Sequence, residues 1–235
     1  MARLGRYYVP GQVLHVIQRG NDRKAVFFAE DDYAQYREWL IAAADVNGLK
    51  VHAHVLMPNH VHLLVTPEEA ESLPRTMQSL GRRYVRFINA RRKRTGTLWE
   101  GRYRAAPIDS DEYFVSCCCY IELNPVRARL VEYPKQYRWS SYRAHAEGKD
   151  DPLAGFHAVF RRLGRTVEAR TQAYRALFRQ KLDPAFVAAL RAATNGGWAL
   201  GDEGFRKEIE DAAGRRVAPL PRGPKPAAAS GKRKL

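Results

Sequence analysis

The sequence predicts an α+β fold of the split βαβ type: an antiparallel sheet with helices packed on it, then a helical C-terminal region and a disordered basic tail. Three observations predict it. Short apolar alternations and longer amphipathic stretches succeed one another as strand, helix, hairpin, helix, strand, helix up to about residue 150. The central hairpin forces antiparallel pairing, which favours helices on one face of a sheet over a doubly wound α/β arrangement. After Gly148-Lys149-Asp150-Asp151-Pro152, which looks like a linker, only helical patterns remain until residues 219–235, a run rich in Pro, Ala, Gly and Lys/Arg. The expected units are therefore 1–150, 151–218 and 219–235.

Residues 13–18 read as the first strand, ended by the turn-like Gly20-Asn21-Asp22. Asp31-Asp32 can cap a helix over 33–46 with Tyr36, Leu40, Ala43 and Ala44 on one face, and Asn47-Gly48 is its stop. Residues 50–57 and 60–66 read as strands joined by the Pro58-Asn59 turn. Ser72, with Pro74 just inside, starts a helix to about residue 93 whose buried stripe is Leu73, Met77, Leu80, Tyr84 and Ile88. Residues 97–108 read as another strand. Ser110-Asp111-Glu112 caps a helix reaching Leu123, and Asn124-Pro125 breaks it and opens a short helix over 126–131. Helical patterns then cover 155–163, 166–181, 184–193 (behind Asp183-Pro184) and 202–213.

At 235 residues and 45% hydrophobic content, the chain can bury the core of one medium domain with additional structure, or of two small domains. No apolar run approaches the roughly 18 residues that span a bilayer, and the N-terminus lacks the apolar stretch of a signal peptide. Cys117, Cys118 and Cys119 are adjacent, so on a helix they point apart; they form no disulfide framework and no CxxC zinc pair. These features predict a reduced, soluble, cytoplasmic protein with no membrane partner.

Net charge is +15 and the isoelectric point is near 10.0, which calls for a polyanionic partner, nucleic acid by default. The charge is concentrated. Between residues 75 and 104, Arg75, Arg82, Arg83, Arg86, Arg91, Arg92, Lys93, Arg94, Arg102 and Arg104 face one acid, Glu100. Arginine suits forked contacts to phosphate oxygens. The interleaved Tyr84, Phe87, Trp99 and Tyr103 include rings able to stack on unpaired bases, although some must serve the core.

His60-Val61-His62 lies on a predicted strand, where side chains at i and i+2 share a face, so two imidazoles can converge on one ion. His52-Ala53-His54 offers the same spacing on the partner strand, and periodicity does not choose between the pairs. Tyr120 and Asn124 share a helix face. They read either as a core aromatic and an N-cap, or as a nucleophile and an oxygen ligand. Two imidazoles with an amide oxygen suit Mg²⁺ or Mn²⁺. No carboxylate cluster of the kind two-metal nucleases use accompanies the histidines, which favours attack by tyrosine over attack by water.

The segments Met57-Pro58-Asn59-His60-Val61-His62-Leu63-Leu64 and Tyr120-Ile121-Glu122-Leu123-Asn124-Pro125-Val126-Arg127 resemble the two signature blocks of single-tyrosine HUH transposases, named for histidine, hydrophobic residue, histidine. Within that superfamily the chain most resembles the REP-associated tyrosine transposases. His15-Val16-Ile17-Gln18-Arg19-Gly20-Asn21 and Leu98-Trp99-Glu100-Gly101-Arg102-Tyr103 fit the same pattern, and the likeness covers about residues 7–145. The resemblance implies a ferredoxin/RRM-like HUH core. It selects His60 and His62 over His52 and His54, makes Tyr120 the nucleophile and makes Asn124 the third ligand of Mg²⁺ or Mn²⁺. Other single-tyrosine transposases carry glutamine at the place of Asn124, one methylene longer. The implied activity is cleavage and rejoining of single-stranded, hairpin-associated DNA through a 5′-phosphotyrosine, with Arg82, Arg83, Arg86, Arg91, Arg92, Lys93, Arg94, Arg102 and Arg104 as DNA contacts. The alternative is a non-catalytic regulator that binds palindromic elements. Monomer and homodimer both stay open, and a nucleoid-associated location follows from the DNA partner.

Overall fold

The computed structural model describes residues 9–219. The predicted basic tail, Pro219 apart, lies outside the described residues. Four strands, β1 (Leu14–Arg19), β2 (Leu49–Met57), β3 (His60–Pro67) and β4 (Arg104–Pro107), form one antiparallel sheet in the order β2-β3-β1-β4. Strand β3 is inserted between β1 and β2, and β1 between β3 and β4, which is the split βαβ arrangement.

Helices α1 (Glu30–Val46) and α2 (Ser72–Arg91) cover one face, packing Tyr36, Leu40, Leu80, Tyr84 and Ile88 on Leu14, Val16, Val61, Leu63 and Val65. Helix α1 begins three residues before the predicted start. Asp32 is its third residue, and its carboxylate accepts the N–H groups of Phe28 and Ala29 at 2.8 and 3.0 Å, so the cap lies upstream of it.

The second face is covered too, whereas the sequence predicted helices on one. Helix α3 (Ser110–Glu122) lies on β2 and β3, and α8 (Pro184–Gly196) lies on β4 and β1. Ala53, Val55, Met57, Leu64 and Ala106 form a common core with Phe114, Ile121, Phe160, Tyr174 and Leu190. The cause is legible in β2, which is buried at every position except Lys50, as expected of a strand with both faces covered. Between the last two helices named come α4 (Asn124–Arg127), α5 (Tyr142–Glu147), α6 (Ala158–Arg161) and α7 (Val167–Leu177), and α9 (Glu203–Ala213) closes the described chain. Buried Glu122 ties three of these elements together. Its carboxylate accepts from the hydroxyls of Ser141 at 2.6 Å and Tyr174 at 2.8 Å, and His145 Nδ1 lies at 2.6 Å. Asp151, in the segment read as a linker, pairs with Arg37 of α1 and lies 3.7 Å from His54.

The predicted strand over 97–108 is shorter in fact. Only Arg104–Pro107 pairs along β1. Upstream, Leu98, Trp99 and Tyr103 turn into the α1/α2 core, and Gly101 adopts φ +122°, a conformation that side chains other than glycine's rarely tolerate.

Candidate active site

The register of the sheet builds the floor of the site. Residues directly opposite in an antiparallel pair point to the same face. Arg19 is opposite His60, Ile17 is opposite His62, and Met57 is opposite His60 on the other side. These side chains face α3, while Val61 and Leu63 face α1 and α2. Helix α3 lays Tyr120 over the histidines. The His62 and Tyr120 ring centroids are 5.8 Å apart at 83°, and those of His60 and His62 are 5.0 Å apart. His60, His62, Tyr120 and Asn124 thus line one cavity of about 300 Å³.

The other histidine pair does not converge. A β-bulge between Val51 and Ala53 puts an extra residue into β2 and breaks its alternation. His52 packs edge-on against Phe114 and His157, whereas His54 faces Asp151. Both are structural, buried and neutral, with burial pulling each down to about 4.

Both site imidazoles are also neutral. Burial, then the charges of Arg19 and Arg127, pulls His60 down to about 4; burial and the neighbouring His15 and His60 pull His62 well below its ordinary value. Each has its Nδ1 occupied. His60 Nδ1 lies 2.6 Å from Asn59 Oδ1, and His62 Nδ1 lies 2.9 Å from His15 Nε2. Neutral rings engaged through Nδ1 have Nε2 as their remaining donor atom, a set that fits a divalent ion. Asn124 is more constrained. Its Nδ2 donates to the carbonyls of Tyr120 and Ile121 at 3.0 and 3.1 Å, capping the end of α3 rather than the start of α4, and its Oδ1 accepts from Arg127 Nη2 at 3.0 Å. Among the described residues no three His, Cys, Asp or Glu side chains form a metal cluster.

Several residues of the site were not singled out as functional from sequence. Arg127 lays its guanidinium 4.0 Å from the Tyr120 ring centroid. Arg191 and Thr194, one helical turn apart on α8, reach the same cavity, and Arg191 Nε donates to the Tyr120 hydroxyl at 3.4 Å. His15 lies beside both His62 and Tyr120. Arg19, Arg127 and Arg191 give a cationic rim around a phenol and two imidazoles. His15, Arg19 and Arg127 carried a signal, since they sit at matching face positions in the quoted segments; Arg191 and Thr194 carried none.

The predicted DNA contacts divide in two. Arg102 and Arg104 line a smaller recess beside the cavity, shared with Ile17, Arg19 and Asn195, and Arg104 Nη1 donates to Asn195 Oδ1 at 2.9 Å. Arg82, Arg83, Arg86, Arg91, Arg92, Lys93 and Arg94 belong to α2 and its C-terminal end, in the helix layer across the sheet. There Arg91 Nη2 lies 3.1 Å from Asp31, Arg92 Nη2 lies 3.7 Å from buried Asp32, Arg83 stacks on Trp39, and Arg94 donates to the Thr97 carbonyl.

The split βαβ fold agrees with a solved structure to which this chain is similar. Residues 8–124 match the family described as "Transposase IS200 like". The chain belongs to the IS200-like transposase superfamily. Among solved structures, a REP-associated tyrosine transposase bound to a REP hairpin is similar over 68% of this chain and 93% of that one, with 18% identity and a TM-score of 0.55. A candidate transposase from Deinococcus radiodurans R1 is 23% identical over 58% of this chain and 98% of that one, with a TM-score of 0.36. No curated protein matches the chain. Among the described residues no helix is long and apolar enough to cross a membrane.

Proposed function

We propose that the protein is a metal-dependent single-stranded DNA endonuclease and strand transferase with Tyr120 as its nucleophile. The observation that carries this reading is the meeting of Tyr120 with His60 and His62 in one arginine-rimmed cavity, although 58 residues of chain separate Tyr120 from His62.

The cavity binds a phosphodiester through Arg19, Arg127 and Arg191, whose guanidiniums suit forked contacts to phosphate oxygens. His60 and His62 would hold Mg²⁺ or Mn²⁺ through Nε2, and Asn124 through Oδ1 in exchange for its bond from Arg127. Such an ion supplies Lewis-acid polarisation of the phosphate and offsets charge that builds up on attack. The Tyr120 oxygen then forms a bond to phosphorus as the P–O3′ bond breaks. The phenolic proton leaves to solvent, and the departing 3′ oxygen takes one up. The resulting 5′-phosphotyrosine conserves the bond energy, so a later 3′-hydroxyl can reseal the strand without a nucleotide cofactor.

A folded single strand, a hairpin with an unpaired flank, is the substrate this reading favours. The fold similarity to a protein solved with a REP hairpin supports it, as does the recess of Arg102 and Arg104 beside the cavity. The test is a labelled hairpin oligonucleotide incubated with Mg²⁺ or Mn²⁺. An SDS-resistant protein–DNA adduct that Tyr120→Phe abolishes is the expected result. Hairpin binding with no adduct from the wild-type protein supports instead the non-catalytic regulator, and cleavage by Tyr120→Phe removes Tyr120 as the nucleophile.

A further inference from the structure

Two hydrogen-bonded chains run into the histidine pair from the surrounding fold, and one begins in the C-terminal helical region. Thr194 on α8 donates its hydroxyl proton to the Leu190 carbonyl at 2.9 Å. Its oxygen lies 2.7 Å from His15 Nδ1, and His15 Nε2 lies 2.9 Å from His62 Nδ1. The His15 and His62 rings are stacked, with centroids 5.1 Å apart and planes within 9°. All three side chains are buried.

The proton positions along this chain follow from counting donors. With the Thr194 hydroxyl proton on the Leu190 carbonyl, its oxygen accepts, and His15 Nδ1 carries the proton donated to it. A neutral imidazole holds one ring proton, so His15 Nε2 is left as an acceptor. His62 Nδ1 is then the donor, and His62 Nε2 keeps a bare lone pair. The reverse arrangement, with the proton on His62 Nε2, needs the Thr194 hydroxyl to turn from Leu190 and donate to His15 Nδ1, giving up its bond to that carbonyl. The shorter chain sets His60 the same way. Asn59 Nδ2 donates to the Arg23 carbonyl at 2.9 Å, which fixes Oδ1 as the end facing His60 Nδ1.

We infer that Thr194 and His15 are positioning residues that hold His62 in its Nδ1–H tautomer, so that helix α8 of the C-terminal region sets which nitrogen of the metal-binding pair is free. This rests on the proposed function for its purpose, and on the hydrogen-bond chain alone for its geometry. It gives α8 a part in the site separate from the contact of Arg191 with Tyr120. Partners of this kind fix ring orientation and ligand basicity, and their loss typically lowers metal affinity by about 10- to 100-fold.

The experiment reads the ring nitrogens of His62 directly. Long-range ¹H–¹⁵N correlation spectra of the ¹⁵N-labelled, metal-free full chain at neutral pH are expected to show a protonated Nδ1 and an unprotonated Nε2. Thr194→Val removes the acceptor while keeping the side-chain shape. It is expected to mix the two His62 tautomers and to weaken Mn²⁺ binding, measured by titration, by about 10- to 100-fold. Thr194→Ser, which keeps the hydroxyl, should restore both readouts. A wild-type spectrum with the proton on His62 Nε2 overturns the inference. So does unchanged Mn²⁺ affinity in a Thr194→Val protein that melts cooperatively. The spectrum and the titration need neither DNA nor turnover, so failure of the nuclease reading and failure of this relay are told apart.

Discussion

Arg191 on α8 donates through Nε to the hydroxyl of Tyr120 on α3, 3.4 Å away and 71 residues earlier in the chain. Because a guanidinium is always charged and cannot accept a proton, Arg191 can steady the phenolic oxygen and a phosphate near it but cannot serve as a base.

Replacing Arg191 by Gln should therefore slow chemistry more than binding. Removal of one preorganised donor at a reacting oxygen typically costs about 100- to 1,000-fold in rate. Single-turnover cleavage of a labelled hairpin, with affinity measured in parallel, separates the effects. An unchanged rate would make Arg191 a bystander.

The two histidine pairs should behave oppositely. His60→Ala or His62→Ala is expected to abolish cleavage while hairpin binding survives, because in the proposed function the arginines, not the histidines, hold the phosphates. His52→Ala and His54→Ala should leave cleavage intact and lower the melting temperature, since both rings are buried, His52 against Phe114 and His157 and His54 beside Asp151. Loss of cleavage confined to the 52/54 variants would overturn the metal assignment.

Salt dependence can locate the DNA track. Each phosphate contact on single-stranded DNA contributes roughly 0.7 to the slope of log affinity against log salt. Arg102→Gln with Arg104→Gln should flatten the slope, since both side chains line the recess beside the cavity. Neutralising Arg91 and Arg92 should flatten it less, because Asp31 and Asp32 already engage those guanidiniums. A larger change from the α2 variant would place the track across the sheet.

Acid should destabilise the fold before the carboxylates titrate. His52 and His54 are held neutral by burial, with values of about 4 against an ordinary 6.5. Below 6.5 the unfolded chain takes up protons that the folded chain refuses. Their contribution is therefore fully present above about pH 6.5 and is lost as pH falls towards 4, at up to about 1.4 kcal/mol per pH unit per histidine. Melting temperature followed from pH 7 to pH 4 should fall across that window. A flat profile would mean these rings are charged in the folded state or exposed.

Local pattern made much of the architecture readable. The stripe Leu73, Met77, Leu80, Tyr84, Ile88 lies on the buried face of α2, and Asp183-Pro184 and Asp202 stand at helix starts. The likeness of two short segments to a known family was enough to select His60, His62, Tyr120 and Asn124, which share one cavity. Local pattern did not show that 97–103 leaves the sheet, because the buried Leu98, Trp99 and Tyr103 look the same in a strand as in a loop folded onto a core.

By itself, the sequence determined which elements form, that a polyanionic partner is to be expected, and which residue types could carry the chemistry, because periodicity, charge and short motifs are properties of neighbouring residues. Only the tertiary structure decided that helices cover both faces of the sheet, that one extra residue at His52 spoils the decoy pair, and that Arg191 and Thr194 reach Tyr120 and His15. Those facts depend on strand register and on where a distant helix docks. Both are fixed by the packing of surfaces remote in sequence, which no local spacing encodes.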